Sequence, residues 1–136
     1  MNILFYLVPK SEVMYLYDDF SLCQALEKME YHKYGSVPII NRAGNYVGTL
    51  TEGDIMWEIC RRGSFYLREA EDIPIKQLKR KRDNDPVNVN CKIEDLIMTS
   101  MNQNFIPVID DNGIFIGIVT RKSIIEFCYK NSKGLV

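Results

Sequence analysis

The sequence predicts an α/β (α+β) fold built from two pseudo-symmetric β-α-β-β-α units. Three observations carry that expectation. Residues 36–59, "SVPIINRAGNYVGTLTEGDIMWEI", lie over residues 105–128, "FIPVIDDNGIFIGIVTRKSIIEFC", without a gap. Pro38/Pro107, Ile40/Ile109, Gly44/Gly113, Gly48/Gly117, Thr51/Thr120 and Ile55/Ile124 are identical, so Pro and Gly fall in register. Within each stretch the pattern changes from short apolar runs to helical spacing at the shared threonine. Two copies are too few for a solenoid, and a pseudo-symmetric pair is the expected arrangement.

The elements follow in order. "VMYLY" is a short extended piece ahead of a helix whose apolar stripe is Leu22, Ala25, Leu26 and Met29. Ser21 with Gln24 forms a capping box at its start. "SVPII" and "YVGTLT" flank "NRAGN", a polar turn, and read as two strands. After Thr51 a second helix carries Ile55, Met56, Ile59 and Cys60 and ends near Gly63. In the second copy "PVNV" precedes a helix bearing Ile93, Leu96, Ile97 and Met101, then strands "IPVI" and "FIGIVT" around "DDNG". The expected division is residues 1–66 for the first unit, 67–85 for a basic linker and 86–136 for the second unit. The linker contains five Lys or Arg between Lys76 and Arg82, read either as a solvated connector or as a phosphate-facing loop.

Composition narrows the function classes. With 136 residues the chain can form one compact body or two small units sharing a core. A formal net charge of -1 supplies no field favouring nucleic acid or an anionic membrane, so neither is an expected partner. Cys23, Cys60, Cys91 and Cys128 are widely spaced without a C-x-x-C pair, which points to buried reduced thiols, not to disulfides or zinc. A lone histidine, His32, excludes a His-rich metal site and reads as a surface residue at a helix end. Asp18 with Asp19 and Asp110 with Asp111 read as turn or cap residues. The opening "MNILFYLVP" is too short in its apolar part to cross a bilayer and lacks a basic n-region and cleavage site. It is expected to pack on the fold or on a partner, and the protein to be cytoplasmic. No nucleophile-base arrangement is evident, so no enzyme activity is expected.

The repeated Gly-x-x-Thr-x-x-[Asp/Ser] carries the candidate chemistry. Thr51 and Asp54 stand where a strand gives way to a helix, a pattern that is first of all a cap. The same geometry suits a nucleotide. A helix N-terminus favours phosphate, and a carboxylate one turn in can accept from both hydroxyls of a ribose. Gly48 and Gly117 suit a close approach or a bend.

These features resemble a tandem pair of CBS domains, the Bateman module, of the small stand-alone type. The resemblance rests on "VPII…G…VGTLTEGDI" and "IPVI…G…IGIVTRKSI" within the β-α-β-β-α order and covers nearly the whole chain. It implies two units packed sheet to sheet, leaving two clefts that take adenosine compounds: AMP, ADP, ATP, S-adenosylmethionine or cyclic di-AMP. It also implies a regulatory role, a homodimer and, with no effector domain in the sequence, a separate protein partner. No cofactor is required and no metal is implied. Carried across, Asp54 would hold the ribose and Thr51 the ribose or phosphate, joined by Asn104, Phe105 and Arg82. The other cleft would combine Thr120, Arg121 and Ser123 with Lys10, Ser11, Tyr34 and Gly35. Ser123 stands where the family's ribose Asp belongs, so this second cleft is expected to be the weaker one, with Arg121 favouring phosphate. The Thr120-Arg121 pair also resembles small cyclic di-AMP receptors. The alternative to a sensor is a ligand-free interaction module whose basic run docks an acidic partner or RNA. Of the aromatics, Tyr34 and Phe105 are the expected adenine platforms; Tyr15, Tyr17, Tyr31, Phe65 and Tyr66 read as packing residues, and Trp57 as core.

Overall fold

A computed structural model describes residues 1–63, 66–80 and 83–133. By packing, the chain divides into Met14–Asp83 and a second unit formed from Met1–Val13 with Asn84–Val136. Among the described residues, no helix is long and apolar enough to cross a membrane.

The Met14–Asp83 unit has strand β2 (Leu16–Tyr17), helix α1 (Leu22–His32), strands β3 (Ser36–Ile40) and β4 (Tyr46–Thr51) and helix α2 (Glu52–Arg62). Its sheet runs β2-β3-β4, with β2 parallel and β4 antiparallel to β3. The expected capping box opens α1: Ser21 Oγ accepts from Gln24 N at 3.2 Å, and Gln24 Oε1 accepts from Ser21 N at 2.8 Å. Leu16, Leu22, Ala25, Val37, Ile39, Leu50 and Ile55 form its core.

The other unit contains β1 (Val8–Pro9), β5 (Val87–Asn88), α3 (Ile97–Ser100), β6 (Phe105–Ile109), β7 (Phe115–Thr120) and α4 (Arg121–Lys133). Its sheet runs β1-β7-β6-β5. The β-α-β-β-α order thus appears twice, as expected. The counterpart of α1 is shorter, a 3-10 turn over Ile93–Leu96 that continues into α3. Ile93 and Leu96 are buried, but Met101 is 68% exposed and leaves the predicted stripe.

The unit boundaries differ from the expected ones. Residues 1–13 pack not on the first copy but on the second: Ile3 joins its core, and β1 pairs antiparallel with β7. The opening apolar segment therefore packs on the fold. The expected linker is not a solvated connector in its first half, because Ala70, Ile73, Ile75 and Leu78 complete the core of the first unit. Counting charges hid these residues; their burial is what decides where the segment lies.

These two arms are structural counterparts. Each makes a short 3-10 turn, Ile3–Phe5 in one and Ile75–Gln77 in the other. In each, a carbonyl accepts from the first residue of a unit's opening helical turn, Met1 O from Ile93 N at 3.0 Å and Ile73 O from Leu22 N at 2.7 Å. The repeat in the fold is longer than the repeat legible in the sequence.

The two shared glycines mark where each arm crosses the sheet. A Cβ on Gly117 would overlap the carbonyl oxygen of Val8, because β1 lies against it. A Cβ on Gly48 would come within 2.6 Å of Arg80 Nη2 and 2.7 Å of Asp83 Oδ1. Close approach, not a bend, accounts for both glycines.

Candidate functional site

Thr51 is the N-cap of α2 and Asp54 its third residue. Thr51 Oγ1 accepts from Asp54 N at 3.1 Å, and Asp54 Oδ2 accepts from Thr51 N at 3.0 Å. This reciprocal pair satisfies two N–H groups that a helix start otherwise leaves unbonded. The predicted cap is therefore real. Asp54 is only 4% exposed, and its carboxylate is fixed at the positive end of the α2 dipole. Gly35, expected with the other cleft, sits on this corner: its carbonyl accepts from Glu52 N at 2.9 Å.

A residue pair that sequence reading missed lies on the same strand. Arg80 Nε donates to Asp83 Oδ1 at 2.8 Å, and Nη2 donates to Asp83 Oδ2 at 3.3 Å and to the Val47 carbonyl at 3.5 Å. Asp83 Oδ1 also accepts from Thr49 N at 3.0 Å. The hydrogen bond to Asp83 raises the Arg80 pKa, with the charges of Asp83 and then Asp54 adding to it against burial. Burial pushes the Asp83 carboxyl up, but Arg80 and the Thr49 N–H outweigh it, leaving Asp83 below the ordinary carboxylate range. Arg80 is thus held as a fixed cation against β4, the strand that ends at Thr51. Arg82, the basic residue expected at the Asp54 corner, lies outside the described residues, as does Phe65. The signal for Arg80 was present in "KRKR", but nothing in that run says which member turns onto the sheet.

In the other unit the same corner is built from different side chains. Thr120 Oγ1 accepts from Ser123 N at 3.2 Å and lies 3.0 Å from Ser123 Oγ. Arg121 N donates to the Asn104 carbonyl at 2.9 Å, mirroring Glu52 and Gly35. Arg121 Nε donates to Ser100 O at 2.7 Å, which ties its guanidinium to the end of α3. Phe105 is buried and pairs in register with Thr120. Lys10 and Ser11 form a 3-10 turn with Glu12 that packs along β7. Within the units, then, Asn104, Phe105, Lys10 and Ser11 gather near Thr120, Arg121 and Ser123, and Gly35 gathers near Thr51 and Asp54.

Tyr34 is half-exposed just past α1, where His32 stacks on its ring at 5.7 Å and 5° between planes. With Leu26, Met29, Glu30, Lys33, Glu52 and Ile55 it lines an open groove of about 310 Å³ between α1 and α2. One face of the Tyr17 ring is covered by the Arg42 guanidinium at 3.8 Å. Three expectations change on this surface. Trp57 is 55% exposed and not core. Met56, Ile59 and Cys60 also face outward, so only Ile55 of the predicted α2 stripe is buried. The four thiols are free, and none is fully buried.

The CBS domain pattern matches residues 7–61 and 70–130. The chain belongs to the CBS-domain family, whose members generally regulate and do not catalyse. Over 100 residues it is 31% identical to the uncharacterized protein MK0525 of Methanopyrus kandleri, which covers 73% of this chain and 49% of that protein. The chain therefore spans about half the length of that relative. Uncharacterized protein MJ1426 of Methanocaldococcus jannaschii is 26% identical over 139 residues, with 82% of this chain and 83% of that one covered. Among solved structures, CbpB in complex with c-di-AMP superposes with a TM-score of 0.83 at 25% identity, over 99% of this chain and 89% of that one. A CBS domain protein from Streptococcus pneumoniae gives 0.79 at 26% identity, over 90% and 83%. CBSX2 in complex with AMP shares the fold, with a TM-score of 0.72 at 17% identity over 96% and 98%.

Proposed function

We propose that the chain is a regulatory, non-enzymatic module that binds an adenine nucleotide at the Thr51-Asp54 corner. One observation carries the proposal: a buried carboxylate held in place by its own cap, in a chain of the CBS family. The cap engages Asp54 through Oδ2 and the Thr51 N–H, and a carboxylate, with about four acceptor positions, is the side chain suited to a pair of ribose hydroxyls. The AMP, ADP or ATP class suits this arrangement. Ligand binding would favour one conformation of the module and so alter a surface read by a partner protein.

A second reading, a c-di-AMP receptor of the same fold, is favoured by the likeness to CbpB, which spans nearly the whole chain. The Thr120 corner, with Arg121, Ser123, Lys10 and Ser11, is the secondary site in either reading. We also assign a homodimer, through outward apolar side chains that include Met56 and Trp57 on α2 and Ile125 and Tyr129 on α4. The compartment that fits is the cytoplasm.

The test is a thermal-shift panel with AMP, ADP, ATP, S-adenosylmethionine and c-di-AMP on protein shown by mass spectrometry to carry no ligand. A ligand that binds only the folded chain at 100 times its Kd stabilises it by about 2.7 kcal/mol. Asp54→Asn keeps a side-chain oxygen for the cap but removes the charge. The expected result is a shift with wild type that shrinks in Asp54→Asn. No shift with any of the five would refute nucleotide binding.

A further inference from the structure

The two units part ways where the opening helix of each meets the helix that follows its strands. Leu22, Ala25 and Met29 are the buried residues of α1, and Ile93, Leu96 and Ser100 repeat their spacing in the second unit. Ser100 therefore answers to Met29, as Arg121 answers to Glu52. In the second unit α3 ends at Ser100, and Arg121 reaches back from the start of α4 to donate Nε to the Ser100 carbonyl at 2.7 Å. A guanidinium thus bridges the two helices. In the first unit α1 runs on to His32, and the residue in the place of Arg121 is an acid.

Between α1 and α2 lies the open groove of about 310 Å³. Leu26, Met29 and Ile55 give it apolar lining, and its charged residues are Glu30, Glu52 and Lys33. Neither acid has an ion-pair partner among the described residues. Two acids against one base, beside the negative end of the α1 dipole, make the groove acidic. An arginine suits it in both its parts. The methylene stem packs on apolar surface while the guanidinium bonds a carboxylate in a fork. Tyr34, which also lines the groove, adds a ring against which a guanidinium can stack.

We propose that the α1/α2 groove docks an arginine side chain presented by a partner protein, in the place that Arg121 takes within the second unit. Glu52 is the principal acceptor and Glu30 the second. A free amino acid fits less well, because its own carboxylate would face both acids. A second copy is a poor source too: Arg42, Arg61, Arg62, Arg80 and Arg121 are each bonded within the chain. The proposal stands apart from nucleotide binding.

NMR titration of the full isotope-labelled chain tests it with three probes: a capped pentapeptide with one arginine between leucines, the same peptide with citrulline, and arginine amide. The arginine peptide should shift the amides of Met29, Tyr34, Glu52 and Ile55. Citrulline keeps the stem and loses the charge, so its peptide should bind about tenfold more weakly or worse. Glu52→Gln should weaken the arginine peptide by a similar factor. Glu52→Arg, which gives the first unit the second unit's residue, should abolish binding. Urea midpoints check that both variants fold, and Glu30→Gln, away from the α2 start, should weaken binding and takes over where a Glu52 variant does not fold. Unmoved groove amides, equal binding of the citrulline peptide, or binding that survives the loss of the acids overturns the proposal. Arginine amide that binds as tightly as the peptide overturns the partner-protein source in favour of a small ligand. Groove amides that shift when the protein alone is concentrated overturn it in favour of a second copy.

Discussion

If the opening segment is part of the second unit's core, truncating Ile3 should cost as much as truncating an interior residue. Ile3 is fully buried, whereas Phe5, two residues on and larger, is 79% exposed. Ile3→Ala removes three carbons, about 2.4 kcal/mol at about 0.8 kcal/mol per buried methylene. The cavity left against Ile93, Leu96, Ile106 and Val119 adds to this, giving about 3–4 kcal/mol, inside the range for such truncations. Phe5→Ala should change stability by less than about 0.5 kcal/mol. Ile75→Ala, the counterpart in the first unit, should match Ile3→Ala, because Ile75 is equally buried and likewise opens a 3-10 turn. Urea unfolding followed by circular dichroism reads the difference. With an m-value of about 2 kcal/mol per molar, Ile3→Ala should lower the midpoint by about 1.5–2 M. Equal midpoints for Ile3→Ala and Phe5→Ala would refute the placement of residues 1–13.

Acid should loosen the Arg80-Asp83 clasp. Asp83 titrates below its unfolded value, so its stabilisation is present above the unfolded pKa and is lost as pH falls through the lower folded one. Urea midpoints taken from pH 5 to pH 3 should therefore fall more steeply for wild type than for Asp83→Asn; parallel curves would show that the clasp contributes nothing. Thiol labelling should find Cys60 first, as it is exposed on α2, while burial foremost, and then the neighbouring carboxylates Glu27 and Asp95, push the thiols of Cys23 and Cys91 up and slow them. Cys60→Ser should remove the fast phase of iodoacetamide labelling at pH 8, and a fast phase that survives the substitution would contradict the exposure of Cys60.

The inner repeat was legible because its constraints are local and chemical. Pro38 and Pro107 pair with Thr49 and Ile118 in matching hairpins, and the caps at Ser21 and Thr51 are read within four residues of chain. The arms were not legible, although they are counterparts. Within the two 3-10 turns only the first residue, Ile3 or Ile75, is buried; the next two positions face outward in both, so Leu4 and Phe5 in one arm answer to Lys76 and Gln77 in the other without penalty. Periodicity likewise gave α2 a face but not what covers it. Ile55 is buried in its own unit, while Met56 and Ile59 on the same helix face outward. The cap made by Asp54 could be read from its spacing to Thr51, whereas the placement of Arg80 depends on a contact with Gly48, 32 residues earlier, which no local pattern encodes.

The two corners share a backbone and oppose each other in charge. The first turn of α2 carries Glu52 and Asp54, which complement the positive end of the helix. The first turn of α4 has no acid and opens with Arg121 and Lys122 instead. A basic pair at a helix start works against the dipole, at about 0.3–1 kcal/mol for each charge. Arg121 offsets part of this by bonding Ser100 O at the end of α3, where a cation is favoured. The remaining cost buys a positive corner where its counterpart is negative. The acidic corner suits hydroxyl donors, while the basic corner suits an anion and, with Ser123 in place of Asp, has no carboxylate at the third helical position. The two corners thus keep one backbone arrangement and differ at the three positions that follow Thr51 and Thr120, which is enough to reverse the charge at the helix start.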